Sequence, residues 1–74
     1  MGPPRRTLLG KEYDQVLLLI KMSEPIGESN NQRTFTEEYC IGGKYYDVIY
    51  GWDNEPEIQE VEYNEEDLLR KSRS

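Results

Sequence analysis

The stretch KYYDVIYGW, residues 44–52, decides the fold of this chain because its pattern fits both a strand and a helix. As a strand, it places every second side chain on one face, namely Tyr46, Val48, Tyr50 and Trp52. As a helix, it forms an apolar stripe at helical spacing, namely Tyr45, Val48, Ile49 and Trp52. Its aromatic and β-branched content favours the strand, but the periodicity alone leaves both structures open.

The flanking segments predict further strands. Residues 13–22 (YDQVLLLIKM) are short and rich in Val, Leu and Ile, which predicts a central strand covered on both faces. Residues 33–40 (RTFTEEYC) and 57–63 (EIQEVEY) predict two more strands, and the turn-forming residues of 23–32 predict a loop. We therefore expect a single α+β domain over residues 12–64, built on a small antiparallel sheet of about three strands.

The two ends of the chain differ in composition from this domain. Residues 1–11 contain two prolines and two arginines and predict a flexible basic arm. Residues 65–74 form a charged tail. Asn64, which precedes it, could cap a short helix that begins with three acidic residues.

The size of the chain limits how it can be stabilised. A domain of 74 residues buries a modest share of its surface, and small domains are commonly stabilised by disulfides, metals or oligomerisation. Cys40 is the single cysteine and histidine is absent, so the sequence predicts neither an internal disulfide nor a zinc site, and no cofactor. We expect a homodimer or a bound partner, with a well-packed monomer as the alternative.

Composition also bears on location and on chemistry. The longest apolar run, residues 16–20, is too short to cross a bilayer, and no secretory signal is recognisable, so we expect a cytoplasmic protein without membrane contact. Without histidine the commonest general acid or base is absent. Carboxylate pairs can catalyse glycoside hydrolysis, but they need a deep cleft. The sequence therefore favours a protein that acts by binding rather than an enzyme.

The negative charge is concentrated in one part of the chain. The net charge is −6, but residues 37–67 contain eleven acids and a single base, Lys44. Crowding charges of one sign costs stability, and a sequence selected only for folding usually mixes both signs. Carboxylates two residues apart on a strand, such as Glu60 and Glu62, lie about 7 Å apart, similar to phosphates along DNA. This pattern indicates either a DNA mimic or a solvated acidic face, and it disfavours direct nucleic-acid binding.

The aromatic residues suggest a binding surface. Four of them lie within residues 45–52. Tyrosine and tryptophan dominate binding hot spots, although the same rings could form the core. If residues 44–52 are helical, then Tyr46, Asp47 and Tyr50 lie opposite the apolar stripe, where they have no packing role within one subunit.

Several short blocks resemble a known family. Tyr13-Asp14 precedes an apolar segment, Glu38-Tyr39 stands shortly before Gly42, residues 46–51 read YDVIYG, and Glu57-Ile58 with Val61 forms a last block. In these blocks, which span residues 13–63, the chain resembles the very small uracil-DNA glycosylase inhibitors of Bacillus tailed phages. It departs from them in its basic arm, its longer first loop and its charged tail, and in Tyr46 and Asp47, where the family carries phenylalanine and glutamate.

The resemblance implies a fold and a mechanism. It implies one central short helix over residues 43–51, a homodimer with Tyr46 and Ile49 in the interface, and inhibition by occupying the DNA-binding cleft of the glycosylase. A hydrophobic pocket would capture the apolar side chain that the enzyme wedges into DNA. The residues expected to bind the partner, from the resemblance and from the acidic and aromatic patterns together, are Glu38, Tyr46, Asp47, Tyr50, Trp52, Glu60 and Glu62.

Two other functions remain open on the sequence. The first is a DNA mimic directed against another nuclease or host-defence enzyme. The second is an acidic protein–protein interaction module whose target is not a DNA site. Salt discriminates between mimicry and an aromatic interface, because screening weakens the first strongly and the second little.

Overall fold

The structure, a computed structural model, describes residues 2–52 and 55–73. Residues 1, 53, 54 and 74 lie outside this part of the chain, and with them Asp53 of the acidic stretch and the outermost residues of the predicted arm and tail. The described elements follow one another as β1 (Arg5–Thr7), α1 (Gly10–Lys21), β2 (Gly27–Asn30), β3 (Phe35–Ile41), β4 (Lys44–Tyr50), β5 (Glu57–Val61) and α2 (Glu65–Arg73).

All the described strands belong to one antiparallel sheet with the order β1-β5-β4-β3-β2. Strands β2 to β5 form a meander, and β1 pairs with β5 to close the far edge. Helix α1 connects the two edge strands and packs on one face of the sheet. The predicted α+β class with an antiparallel sheet is confirmed, but the described sheet has five strands where about three were expected, and two helices replace the single central one.

The predicted strand over residues 13–22 is wrong, since these residues lie mostly in α1. The side chains that pack on the sheet recur at i, i+3, i+4 and i+7, which is a helical stripe: Tyr13, Val16, Leu17 and Ile20. Two further leucines, Leu18 and Leu19, are exposed on the other side of the helix. Apolar residues on both sides of this segment therefore mimic the pattern of a buried strand, although they belong to a helix with one buried and one exposed apolar side.

The helix that the family resemblance implies over residues 43–51 is also absent, because Lys44–Tyr50 forms the central strand β4. The preceding Gly42 and Gly43 have φ angles of 59° and 80°. Two successive positive φ angles are those of the tight turn that suits the twist of a β-hairpin, and Ile41 pairs with Lys44 across it. The turn thus commits the following residues to the sheet, in agreement with their β-forming composition.

The predicted loop over residues 23–32 contains an edge strand, β2. Its side chains are polar and mostly exposed, so no alternation of apolar residues marks it. Gly27 pairs with Glu38 of β3, and a Cβ atom there would come within 2.7 Å of Glu38 Oε1, so a larger residue would require the flexible Glu38 side chain to shift. The loop that follows is closed by Asn31, whose side-chain oxygen accepts hydrogen bonds from the backbone N–H groups of Arg33 and Thr34 at 2.9 and 3.1 Å.

The predicted flexible arm over residues 1–11 is wrong for residues 5–11. Residues 5–7 form β1, and Leu8, which is 2% exposed, belongs to the core. Arg6 donates hydrogen bonds to Glu12 of α1 at 2.7 Å and to Glu60 of β5 at 2.8 Å, and so joins the helix to the sheet. Pairing with β5 and burial of one leucine thus order a segment whose composition suggests disorder.

The core lies between α1 and one face of the sheet. Buried side chains from every layer form one cluster: Leu8, Val16, Ile20, Tyr39, Tyr46, Val48 and Ile58. At the C-terminal end, the predicted helix cap is confirmed, because the backbone N–H of Asp67 donates to Asn64 Oδ1 at 2.8 Å at the start of α2. Within the described residues, neither helix has the length and apolar character needed to cross a bilayer.

Candidate functional site

The structure divides the predicted binding residues between the two faces of the sheet. Tyr46 and Glu60 are paired neighbours on β4 and β5, on the face that α1 covers. Glu38 and Asp47 are paired neighbours on β3 and β4. Because successive residues of a strand point to opposite faces, Asp47 faces away from Tyr46. The predicted residues therefore do not form one continuous surface.

Tyr46 belongs to the core of a single subunit. It is 7% exposed, and burial raises the pKa of its hydroxyl, with Glu60 and Glu12 contributing in the same direction. Ile49 projects from the other face of the same strand and is half-buried. The expected dimer interface through Tyr46 and Ile49 does not fit this arrangement, because the two side chains lie on opposite sides of the sheet and one of them is inside the fold.

Asp47 is buried and serves the fold. Its carboxylate lies 2.5 Å from the guanidinium of Arg5, which also donates to Gln59 at 3.3 Å. The neighbouring Glu38 is half-buried against Gly27 of β2. Neither carboxylate is presented freely to a partner in the way that the sequence suggested.

The expected row of carboxylates on β5 is interrupted. Glu60 is mostly buried and is neutralised by Arg6, whose pKa rises mainly because it donates hydrogen bonds to Glu12 and Glu60. Glu62 is exposed beyond the end of the strand, where its backbone N–H donates to the carbonyl of Pro4 at 3.0 Å. An arginine of β1 thus neutralises one of the two charges that the sequence placed in a continuous row.

The aromatic residues at the end of β4 do reach the surface. Tyr50 stacks on Phe35 with ring centroids 6.1 Å apart, and burial, then a hydrogen bond with Glu37, raises the pKa of its hydroxyl. Trp52 follows the strand and is 86% exposed. A large exposed tryptophan beside a partly exposed tyrosine is typical of a binding hot spot.

A separate cleft of about 460 Å³ opens where α1 begins and β5 begins. Its accessible apolar lining comes from Leu9, Tyr13 and Pro56, whereas Leu8 and Ile58 lie beneath them and are almost completely buried. The hydroxyl of Tyr13 donates a hydrogen bond to the carbonyl of Pro56, which fixes the helix against the start of β5. The volume lies within the range of about 300–1,000 Å³ that is usual for ligand clefts. We call this feature the α1–β5 cleft.

The carboxylates of Asp14 and Glu55 border the α1–β5 cleft. Glu57 also adjoins it, but it pairs with Ile49 and points to the other face of the sheet, where it accepts a hydrogen bond from Gln59 at 2.5 Å. Within the described part of the chain, neither Asp14 nor Glu55 takes part in an ion pair. The pKa of the Tyr13 hydroxyl is raised, first by burial and then by the charges of Glu55 and Asp14. The negative charges of both carboxylates therefore influence the Tyr13 hydroxyl inside the cleft. The cleft thus combines an apolar lining with a negative rim.

This combination suits an apolar side chain that is accompanied by positive charge. Cationic groups near the rim would neutralise carboxylates that form no ion pair with another described residue, while the apolar part leaves water. Among the described residues, no group of three or more histidine, cysteine, aspartate or glutamate side chains is placed to hold a metal ion.

Sequence reasoning missed Asp14 and Glu55 as site residues. Asp14 was placed on a strand, and only the helical stripe brings it next to the cleft. Glu55 lies in the connection before β5, where the charge pattern gave no reason to distinguish it from the other acids of residues 37–67. The sequence signal that could identify Asp14 is the helical periodicity of residues 13–22.

Comparisons with protein-family models, with curated proteins and with solved structures found no match to this chain. The geometry of the α1–β5 cleft and of the surface around it is therefore the basis for the function proposed below.

Proposed function

We propose that this protein acts by binding, and that it inhibits a DNA-binding enzyme by occupying the place of DNA. The observation that carries the proposal is the α1–β5 cleft, with its apolar lining and, on its rim, the carboxylates of Asp14 and Glu55, which form no ion pair with any described residue. DNA-binding clefts are rich in lysine and arginine, and some proteins that distort or open DNA insert an apolar side chain between bases. The rim and the lining complement these two features.

Uracil-DNA glycosylase is the target we propose first, because it is a base-flipping enzyme and because two blocks of the family resemblance meet at the cleft. Tyr13-Asp14 and Glu57-Ile58 line it from opposite sides. The block at residues 46–51 gives no such support, because it lies in a strand instead of a helix. In this proposal the protein is a homodimer in the cytoplasm of the host cell of a phage, and Tyr50 and Trp52 flank the contact.

The test is uracil excision from a duplex by a bacterial uracil-DNA glycosylase, titrated with this protein. We expect inhibition at a stoichiometric ratio. The double variant Asp14→Asn/Glu55→Gln should inhibit about tenfold less well or worse, since it removes two rim charges. The matched control is Glu28→Gln/Glu65→Gln, which changes the net charge equally at exposed positions outside the cleft lining and should inhibit nearly as well as the unchanged protein.

The possible outcomes distinguish an error in the proposed target enzyme from an error in the proposed binding site. Lack of inhibition by the unchanged protein at micromolar excess would exclude uracil-DNA glycosylase, and the same titration would then be repeated with nucleases and restriction enzymes. Equal losses in the two double variants would mean that overall charge, and not the cleft, determines binding.

A second candidate function is an interaction module whose partner is not a DNA-binding enzyme. It is favoured by the exposure of Trp52, which is 86% exposed. An interface dominated by such an aromatic side chain should bind almost equally well at low and high salt, whereas occupation of a basic cleft should weaken steeply as salt rises.

A further inference from the structure

The aromatic side chains at one end of the sheet border a second groove. Phe35 of β3 pairs with Tyr50 of β4, and both lie on the face that α1 packs on, because each is four residues from a buried tyrosine of the core on its own strand. A groove of about 380 Å³ opens beside this ring pair. We call it the Trp52 groove, and its lining includes Asn30, Gln32, Arg33, Phe35, Tyr50 and Trp52.

The hairpin between β2 and β3 forms the polar wall of the Trp52 groove. The backbone N–H of Asn31 donates to the carbonyl of Thr34 at 2.9 Å, which closes a tight turn with Gln32 and Arg33 at its tip. The side-chain oxygen of Asn31 accepts two further hydrogen bonds from backbone N–H groups of the same turn. The backbone that carries Arg33 is therefore fixed beside the aromatic rings, while its side chain is exposed.

The charge of the Trp52 groove is opposite to that of the molecule as a whole. None of its described lining residues is acidic, and the Arg33 guanidinium forms no ion pair with a described residue. Glu37 lies on the same face of β3, but it accepts hydrogen bonds from Tyr39 and Tyr50 and does not line the groove. In a chain with a net charge of −6, this groove thus combines a positive charge with exposed aromatic rings.

We propose that the Trp52 groove binds a nucleoside monophosphate, with the base stacked on Trp52 and the phosphate bound by Arg33. Stacking on an exposed aromatic side chain is favourable for every base, because every base has a π-face. A guanidinium matches the geometry of a phosphate and forms charge-assisted hydrogen bonds with it. The amide side chains of Asn30 and Gln32 offer donors and acceptors to the edge of the base or to the sugar.

The charge distribution favours a single nucleotide over a nucleic-acid strand. Each further phosphate of a strand would approach a surface on which acids outnumber bases, and it would be repelled. A single phosphate at Arg33 avoids most of this repulsion, because salt screens charges that lie more than about 8 Å away. The volume of the groove also lies within the range of about 300–1,000 Å³ that is usual for small-ligand sites.

This site is distinct from the one that carries the proposed inhibition of an enzyme. The Trp52 groove and the α1–β5 cleft share no described lining residue. Nucleotide binding is measured on the protein alone, without a target enzyme. A negative result in that measurement therefore leaves the proposed inhibition untouched, and a protein that does not inhibit uracil-DNA glycosylase can still bind a nucleotide.

Fluorescence titration with AMP tests the proposal, because Trp52 is the single tryptophan of the chain. Excitation at the long-wavelength edge of tryptophan absorption avoids adenine, and AMP should quench the emission saturably in the millimolar range. Adenosine, which lacks the phosphate, should bind about tenfold less tightly or worse. Ribose 5-phosphate, which lacks the base, should compete with AMP about tenfold less well or worse.

A matched pair of arginine variants separates the groove from overall charge. Arg33→Gln should weaken AMP binding about tenfold and leave adenosine binding unchanged, since adenosine has no phosphate. Arg70→Gln removes the same charge from α2, outside the groove, and should bind AMP as the unchanged protein does. Nuclear magnetic resonance locates the site, because AMP should shift the amide signals of residues 30–35 and 50–52, and Trp52→Ala, which truncates an exposed side chain, should abolish these shifts.

Four results would overturn the proposal. The first is the absence of saturable quenching at millimolar AMP, and the second is an equal loss of AMP binding in the two arginine variants. The third is tighter binding of an oligoadenylate of about ten nucleotides than of AMP, which would identify a strand as the ligand. The fourth is quenching by the neutral disaccharide maltose as strong as that by AMP, which would identify a sugar site that does not use the charge of Arg33.

Discussion

The guanidinium of Arg5 lies 2.5 Å from the carboxylate of Asp47, and this contact joins the edge strand β1 to the central strand β4 across β5. Asp47 is almost completely buried, whereas Arg5 is partly exposed. A buried carboxylate needs a charged or hydrogen-bonding partner. The contact therefore explains both why residues 5–7 are ordered and why Asp47 is not a surface residue.

Removing the arginine should destabilise the fold. We expect Arg5→Ala to lower the free energy of unfolding by about 1–3 kcal/mol, because the Asp47 carboxylate would remain buried with fewer partners. Urea denaturation measures this change. Arg33→Ala, at an exposed arginine of the β2–β3 loop, is the control and should change stability by less than about 0.5 kcal/mol. Equal effects of the two substitutions would argue against a structural role for the ion pair.

The two leucines after β1 should respond differently to truncation. Leu8 is buried and Leu9 is 78% exposed, although they are adjacent in sequence. Leu8→Ala should cost about 2–5 kcal/mol of unfolding free energy, whereas Leu9→Ala should cost less than about 0.5 kcal/mol. Thermal unfolding would show the difference. A flexible arm, as the composition suggested, would make both substitutions harmless.

Tyr46 should be needed for folding and Tyr50 for binding. Tyr46→Ala empties a site in the core and should cost about 3–5 kcal/mol, while Tyr46→Phe, which keeps the ring, should cost much less. Tyr50→Ala should preserve the fold and weaken binding of the target, since Tyr50 lies at the surface beside Trp52. Circular dichroism and the inhibition assay separate these effects. A folded Tyr46→Ala protein that is merely monomeric would contradict the burial of Tyr46.

Alkaline pH should destabilise the protein through Tyr39. Burial raises the pKa of its hydroxyl to about 12, and the nearby Glu37, which accepts its hydrogen bond at 3.2 Å, acts in the same direction. Its contribution to stability is complete below the ordinary pKa of about 10 and is lost as pH rises towards 12, amounting to about 2–3 kcal/mol. Unfolding free energies measured across this range should fall, and less steeply in Tyr39→Phe.

Acidic pH should weaken the attachment of α1 to the sheet. The hydrogen bonds from Arg6 lower the pKa of the Glu12 carboxyl. A lowered pKa means that this contribution to stability is present above the ordinary value of about 4.3 and is lost as pH falls through the lower value in the folded protein. Stability measured against pH should show this loss, and it should be smaller in Arg6→Gln. An identical acid profile in both proteins would show that the ion pair contributes nothing.

The strands whose side chains alternate in character, or which turn-forming residues flank, could be predicted from the sequence. The regions predicted as strands over residues 33–40 and 57–63 contain most of β3 and all of β5, and Asn64 caps α2 as expected. Helix α1 was not recognised because exposed Leu18 and Leu19 blur the apolar stripe of Val16 and Ile20. Strand β2 could not be recognised, since backbone pairing with β3, and not apolar alternation, defines it.

The sequence by itself determined the class of the fold, the helix cap at Asn64 and the excess of acidic residues, because these depend on local conformational preference and on composition. The tertiary structure decided which of those acids are neutralised. Arg5 and Arg6 reach Asp47 and Glu60 only because β1 pairs with β5 at the far end of the chain. Charges separated by more than forty residues are brought together by strand order, and no local pattern encodes that order.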